Sequence, residues 1–320
     1  MNTQVPAGPV PAAPRADAPD HERRPHRSWW SRHQRDLAPY VFVSPFYVVY
    51  ALFMIVPIGF ALYLSCTEWA GLGPTHWVGL RNYADLLTDS SWWNAVGNTA
   101  VYTVVTLLVI IPAALLIAQA LNARGLRGRD MFRLAFFLPV VISPIIVSLV
   151  FGLVFDGEYG LLNTVLRALF GFGGTSWLTD PWWAQAAVIV LVLWRWTGYL
   201  TVFFLAGLQN VPRDLYEAAE LDGAGRVRTF VCVTLPVLRP VTAFVAVTVL
   251  VHTAQIFDEP FLLTQGGPGE STYSVAMFLY RAGFQRQQLG YASAAGVLLF
   301  AAVLVLGQLA NRIMGVGRER

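Results

Sequence analysis

Residues 217–236 read EAAELDGAGRVRTFVCVTLP, from Glu217 to Pro236, and this polar stretch lies between two long apolar blocks, 183–208 and 238–260. Its first part, Leu215 to Leu221, is rich in good helix formers, with Asp214 available near the start of a short helix. Gly223 and Gly225 are placed to end that helix, because glycine accepts the left-handed backbone of a helix C-cap. Leu215, Ala218, Ala219 and Leu221 alternate with acidic residues, which gives a compact mixed surface. Pro236 and Pro240 mark the entry to the next apolar block. On pattern alone, a surface connector helix is as good an account of the stretch as a docking surface.

Outward from this loop, the chain is a series of apolar blocks. Six of them, at 38–64, 98–121, 131–155, 183–208, 238–260 and 289–313, have the roughly 20 residues that a helix needs to cross a bilayer. Pro139 and Pro144 are expected to bend the third, which transmembrane helices tolerate. Over its 320 residues the chain is 56% hydrophobic and only 13% charged, about half the charge of a soluble domain. The expected fold class is an all-α membrane protein of six transmembrane helices.

All 22 basic residues are arginine. A Walker A phosphate loop needs a lysine, so ATP, if it drives this protein, binds another subunit. Seventeen arginines fall on one side of the expected spans: those of residues 1–36, then Arg124, Arg127, Arg129, Arg133, Arg213, Arg226, Arg228, Arg239, Arg312, Arg318 and Arg320. Four fall on the other side (Arg81, Arg167, Arg281 and Arg286), and Arg195 lies within a span. The positive-inside rule then puts both termini in the cytoplasm. Residues 1–36, rich in Pro, Ala and Arg, read as a disordered cytoplasmic extension and not as a signal peptide, and 315–320 as a short cytoplasmic tail. Between them, 37–314 form the membrane domain, with a cytoplasmic loop at 209–239.

Cys66 and Cys232 lie on opposite membrane sides in this topology and in no metal-ligand spacing, so they read as packing residues. Trp92, Trp93, Trp177, Trp182 and Trp183 fall in outer loops, as an interfacial aromatic belt does, with contact to an external partner as the other reading. Within the spans, Arg195 lies about 18 Å along the fourth helix. A central arginine costs at least about 2.5 kcal/mol to insert, so it should face the bundle interior, water or a partner. Trp194, Trp196 and Tyr199 flank it, and His252, Gln255 and Asp258 add polar groups on or just beyond the fifth span. Trp194, Arg195, Tyr199, His252, Gln255 and Asp258 are therefore the candidate solute pathway. The competing account pairs Arg195 with a carboxylate on a second subunit and leaves the aromatics as packing. Arg195→Ala is expected to lower transport and leave assembly intact.

The Glu217–Pro236 stretch resembles the EAA loop of ABC importer permeases: Glu217, Ala218, Ala219, then Gly223, then Val233, Leu235 and Pro236 at the family's spacings. The resemblance implies a type I ABC importer permease fold and a coupling helix that docks on a separate ATPase. Glu217 and Asp222 would be its polar contacts, Ala218 and Ala219 would allow close approach, and Gly223 the turn. FDEPFLLTQGGPGEST, from Phe257 to Thr272, and WVGLRNYADLL, from Trp77 to Leu87, followed by Asn98 and Thr99, are similar to carbohydrate-importer permeases of the maltose and glycerol-phosphate type. The maltose permease has further N-terminal spans and a large external domain that this chain lacks, so whatever those parts bind does not carry over. By itself GGPG is a tight turn, in which Gly266 and Gly267 allow positive φ and Pro268 fixes the exit direction; at the outer mouth of a span it reads as a vestibule element.

The resemblance implies a subunit of the bacterial plasma membrane, paired with a related second permease. Two ATPase copies would sit below, binding the ATP and Mg that this chain does not hold, and an external solute-binding protein would sit above. An amino-acid or glycerol-phosphate permease is the nearest competitor to the sugar reading. An ion-driven transporter would show carboxylates near the membrane midplane. Asp258 and Glu259 are expected instead near an outer end of the fifth span. The histidines form no cluster that would mark an enzyme or a metal site.

Overall fold

The computed structural model describes residues 8, 29–123, 127–171 and 174–313. The chain divides into two units, residues 1–57 and 58–320. In the first unit, a helix begins at Trp29 and runs to Tyr50, continuing through one π-helical turn at Ala51–Ile55. It therefore starts inside the 1–36 stretch read as disordered, because no glycine or proline interrupts Trp29–Leu37. Residues 1–7 and 9–28 of that stretch, and the tail at 315–320, lie outside the described residues. The apolar side chains of this unit, Phe42, Phe46 and Phe53 among them, are exposed along the helix.

Among the described residues four helices are long and apolar enough to cross a membrane: α1 (Pro39–Ser65), α3 (Ser90–Asn122), α7 (Pro181–Gln209) and α13 (Leu289–Ile313). Counting each of two bent pairs as one span gives six, the number of apolar blocks in the sequence. One pair is α4 (Arg129–Val141) and α5 (Pro144–Val154), which meet at 98°. Pro144 opens α5, and the preceding Ser143 is forced out of the helical region to ψ 131°. Pro139, the other expected kink, stays within α4 and is buried. The other pair is α9 (Arg226–Val237) and α10 (Arg239–Ala254), bent by 68° at Leu238.

Short elements fill the connections. A two-residue hairpin pairs β1 (Thr67–Glu68) with β2 (His76–Trp77), ahead of α2 (Arg81–Thr88). α6 spans Leu161–Phe170 and α8 spans Arg213–Leu221. The fifth span differs from the expected 238–260. Its helix ends at Ala254, the chain breaks at Gln255–Phe257, and α11 (Asp258–Thr264) and α12 (Val275–Tyr280) follow separately.

One core joins α3, α7 and α10 through Ile110, Ala114, Ala118, Leu200, Phe204, Leu208, Val245 and Val249. Association inside a bilayer depends on close packing of small residues, and Gly198 shows why. A Cβ there would collide with the Phe136 carbonyl, so α4 and α7 touch backbone to backbone only because residue 198 has no side chain. A second core gathers Leu86, Trp92, Ala95, Tyr273, Phe278, Ala294 and Ala295 around α12.

Candidate functional site

The 209–239 loop contains α8, whose C-terminus closes as a Schellman motif. The Ala224 amide donates to the Ala219 carbonyl at 2.9 Å and the Gly223 amide to that of Glu220 at 3.0 Å. Gly223 takes φ +72°, the left-handed conformation this closure requires. Asp214 lies in the first turn, where its charge suits the helix dipole, but Pro212 occupies the cap position. Ala219 is buried beneath the helix, while Glu217, Ala218, Glu220, Asp222 and Gly223 are exposed. Leu221 is 89% exposed and Leu215 and Val227 also face outward. Leu235 is exposed and Pro236 half-buried, at the approach to α10. A side-chain bond between Tyr216 Oη and Thr234 Oγ1, at 3.2 Å, links α8 to α9.

Midway along α7 lies a polar cluster. Arg195, 9% exposed, donates from Nη1 to Glu259 Oε1 at 3.0 Å, and Glu259 is only 2% exposed. His252 Nε2 is 4.0 Å from the same carboxylate oxygen. The Trp196 ring lies 3.8 Å from the His252 ring, centroid to centroid. Arg195 Nε, Trp196 Nε1 and His252 Nε2 are shielded from solvent and have no hydrogen-bond partner in the chain.

Of the candidate pathway residues, the structure thus brings Arg195 and His252 together. Trp194, 45% exposed, turns away and packs its ring 5.3 Å from that of Phe151. Tyr199 continues an aromatic file with Trp196 at 5.7 Å and Phe203 at 5.1 Å. Gln255 and Asp258 lie at the break after α10 and just beyond it, both exposed. Sequence reasoning missed Glu259. Placed near an outer end by assuming one continuous helix over 238–260, it is instead carried by the break at Gln255–Phe257 to the middle of α7. The carboxylate paired with Arg195 therefore belongs to this chain and not to a second subunit.

The third region is the loop after α11. Gln265, Gly266, Gly269 and Glu270 have positive φ, whereas Gly267 does not. Gly266 is also tightly enclosed, since a Cβ there would come within 3.0 Å of the Met277 side chain. α3 holds this loop from one side. Asn98 donates from Nδ2 to the carbonyls of Glu270 and Tyr273, at 2.9 and 3.0 Å. Asn94 adds a bond to the Glu270 carbonyl at 3.0 Å, and Tyr102 donates to that of Thr272 at 3.1 Å. Thr99 Oγ1 accepts from the Val275 amide at 3.0 Å. Glu270 Oε1 pairs with Arg281 Nη1 at 2.9 Å. The Asn98–Thr99 pair is therefore the clamp on the GGPG loop, and Pro268 is carried within it.

Residues 110–316 match the family described as "Binding-protein-dependent transport system inner membrane component". The chain belongs to that family. It is therefore a multi-pass transport subunit of a binding-protein-dependent system, not an enzyme. The matched residues include α8, the Arg195–Glu259–His252 cluster and the GGPG loop. Individual relatives carry the likeness over more of the chain. It is 34% identical over 285 residues to the arabinooligosaccharides transport system permease protein of Bacillus subtilis (strain 168), covering 88% of this chain and 90% of that one. It is 36% identical over 278 residues to the lactose transport system permease protein of Rhizobium radiobacter, covering 86% and 93%. In three dimensions it resembles a chain from the crystal structure of a bacterial ABC transporter involved in the import of the acidic polysaccharide alginate. The TM-score is 0.77 at 25% identity, covering 91% of this chain and 99% of that one. The fold is thus that of an ABC importer permease.

Proposed function

We propose that this chain is the permease subunit of an ATP-driven importer of a sugar or oligosaccharide in a bacterial plasma membrane. It forms half of the translocation pathway and has both termini in the cytoplasm. The observation that carries the reading is α8: a capped helix with Glu217, Ala218, Asp222 and Leu221 left exposed, in a family of binding-protein-dependent transport components. A groove on a separate ATPase would cover this surface, with Glu217 and Asp222 as its polar contacts and Ala219 and Gly223 fixing its shape. Leu235 and Pro236 would set the helix against the following span. Two ATPase copies would bind ATP and Mg, a related second permease would complete the pathway, and an external binding protein would deliver the solute.

The saccharide assignment is supported by relatives named for arabinooligosaccharides and lactose. The chemistry of the mid-membrane cluster agrees with it. Aromatic faces suit the C–H surface of a sugar, and the N–H groups of Trp196 and Arg195 that lack partners suit its hydroxyls. Transport would pass solute along the cluster of Arg195, Trp196 and His252, with Trp194, Tyr199, Gln255 and Asp258 turned to a second subunit or to the cavity. The GGPG loop, held by α3, would form the rim of the outer vestibule. An ion-driven mechanism gains one supporting observation, because Glu259 of α11 is a carboxylate beside the middle of α7. Its pairing with Arg195 makes it a structural counter-ion instead.

Affinity purification of the tagged chain from its host in mild detergent, with mass spectrometry of co-purifying proteins, tests the proposal. Recovery of an ATPase and a second permease, lost on replacing Gly223 with a bulky residue, is the expected result. A chain that purifies alone and transports in liposomes without ATP would overturn it.

A further inference from the structure

At the end of α7 nearest the 209–239 loop, α4 and α7 enclose a slot of about 470 Å³ lined by Arg133, Leu134, Phe137, Val202, Leu205, Ala206 and Gln209. Its walls are apolar and its mouth is cationic. Arg129 stands beside Arg133 on the first turns of α4, and both guanidinium groups converge on the Gln209 amide oxygen, Nη2 at 3.2 and 2.9 Å. Arg129 Nη2 also meets Asn122 Oδ1 at 3.2 Å. Among the described residues the one carboxylate near them is Asp130. It lies 3.3 Å from Arg133, but its side chain is 94% exposed and largely solvated, so it compensates little of their charge. The Nε atoms of Arg129 and Arg133 are shielded from solvent and have no acceptor.

Two arginines with unsatisfied donors thus stand over an apolar slot at the end of two spans. We infer that the slot binds one anionic phospholipid, its phosphate held by Arg129 and Arg133 and an acyl chain lying along Leu134, Phe137 and Val202. The N-terminus of α4, whose first amides lack helical partners, adds to the attraction for an anion at the same place. A free phosphate would satisfy the arginines but leave the apolar walls bare. A zwitterionic lipid would bring a cation to the cationic mouth. Only an amphiphile with net negative charge matches both halves of the site. The inference requires membrane embedding and is independent of what the protein transports.

The test uses the full-length chain with whatever subunits accompany it, delipidated in detergent. Its unfolding midpoint is followed during titration with phosphatidylglycerol, with phosphatidylcholine of the same acyl chains, and with inorganic phosphate. Phosphatidylglycerol should raise the midpoint by more than about 3 °C while the other two do not. The double variant Arg129→Gln/Arg133→Gln should lose that shift and keep its midpoint in phosphatidylcholine. Should it fail to fold, Ala206→Phe, which fills the slot and leaves both arginines in place, should lose the shift instead. Equal shifts with the two lipids, or a shift with inorganic phosphate alone, would overturn the inference. So would efficient cross-linking of Val202→Cys to a second protein chain, which would show that protein fills the slot.

Discussion

The segments Arg213–Val237 and Ile256–Gln285 are of similar length, and each has a sequence signature that stands out from the apolar blocks around it. The structure treats them in opposite ways. In the second, the key polar groups are satisfied within the chain, Ser271 Oγ excepted: Glu259 by Arg195, the Glu270 carboxylate by Arg281, and three backbone carbonyls by side chains of α3. In the first, the acidic side chains project outward and apolar Leu221 and Val227 accompany them. A recognisable motif therefore marks two different things, residues that hold the fold and residues left bare for something outside it. What separates them is whether partners lie within the chain.

Substitutions should sort along the same division. Glu259→Ala leaves Arg195 buried without a counter-ion, and the cost should be about 3–5 kcal/mol, read as a lowered unfolding midpoint in detergent. The companion Arg195→Ala should destabilise in the same way, not leave assembly intact as expected from the sequence. Replacing both by leucine should restore most of the loss. An unchanged midpoint for either single variant would mean that the pair is not formed. Asn98→Ala removes two hydrogen bonds that α3 donates to the GGPG loop and should cost about 1–3 kcal/mol. Slower hydrogen exchange across 264–275 in that variant would contradict the clamp.

The bare segment should respond weakly in stability. Gly223→Ala meets open space, but its φ of +72° costs an alanine about 1–2 kcal/mol. Because this strain distorts the end of α8, ATP-driven uptake should fall further than the midpoint does. Glu217→Ala should change stability by no more than about 0.5 kcal/mol while weakening co-purification of an ATPase. If the midpoint falls and co-purification holds, Glu217 belongs with the residues that hold the fold, and the division fails there.

Most of the spans were legible because hydropathy is a property of local sequence. The blocks at 183–208 and 289–313 match α7 and α13 closely, and Pro144 announced the break between α4 and α5. The 98° of that bend was not legible, nor was the backbone contact of α4 with α7 at Gly198, which joins residues far apart in sequence. The break after Ala254 was passed over because 238–260 was read as one continuous helix straight through His252, Thr253, Gln255, Asp258 and Glu259, and with it went the position of Glu259. Similarly, Asn98 and Thr99 stood out in the sequence, but their role as a clamp depends on residues more than 170 positions away. The helix beginning at Trp29 ran ahead of the apolar block because helix propensity and hydropathy do not end together.

The short link between α7 and α8 has a mechanical consequence. Only Asn210, Val211 and Pro212 separate them, and Val211 is anchored in the interior. A load on α8 is thus delivered to the end of a rigid rod of 29 residues. The Arg195–Glu259 bond grips that rod near its middle and ties it to the chain that leads into the GGPG loop. A load entering at α8 would therefore have a direct covalent and hydrogen-bonded route along α7 to the segment that carries Glu259.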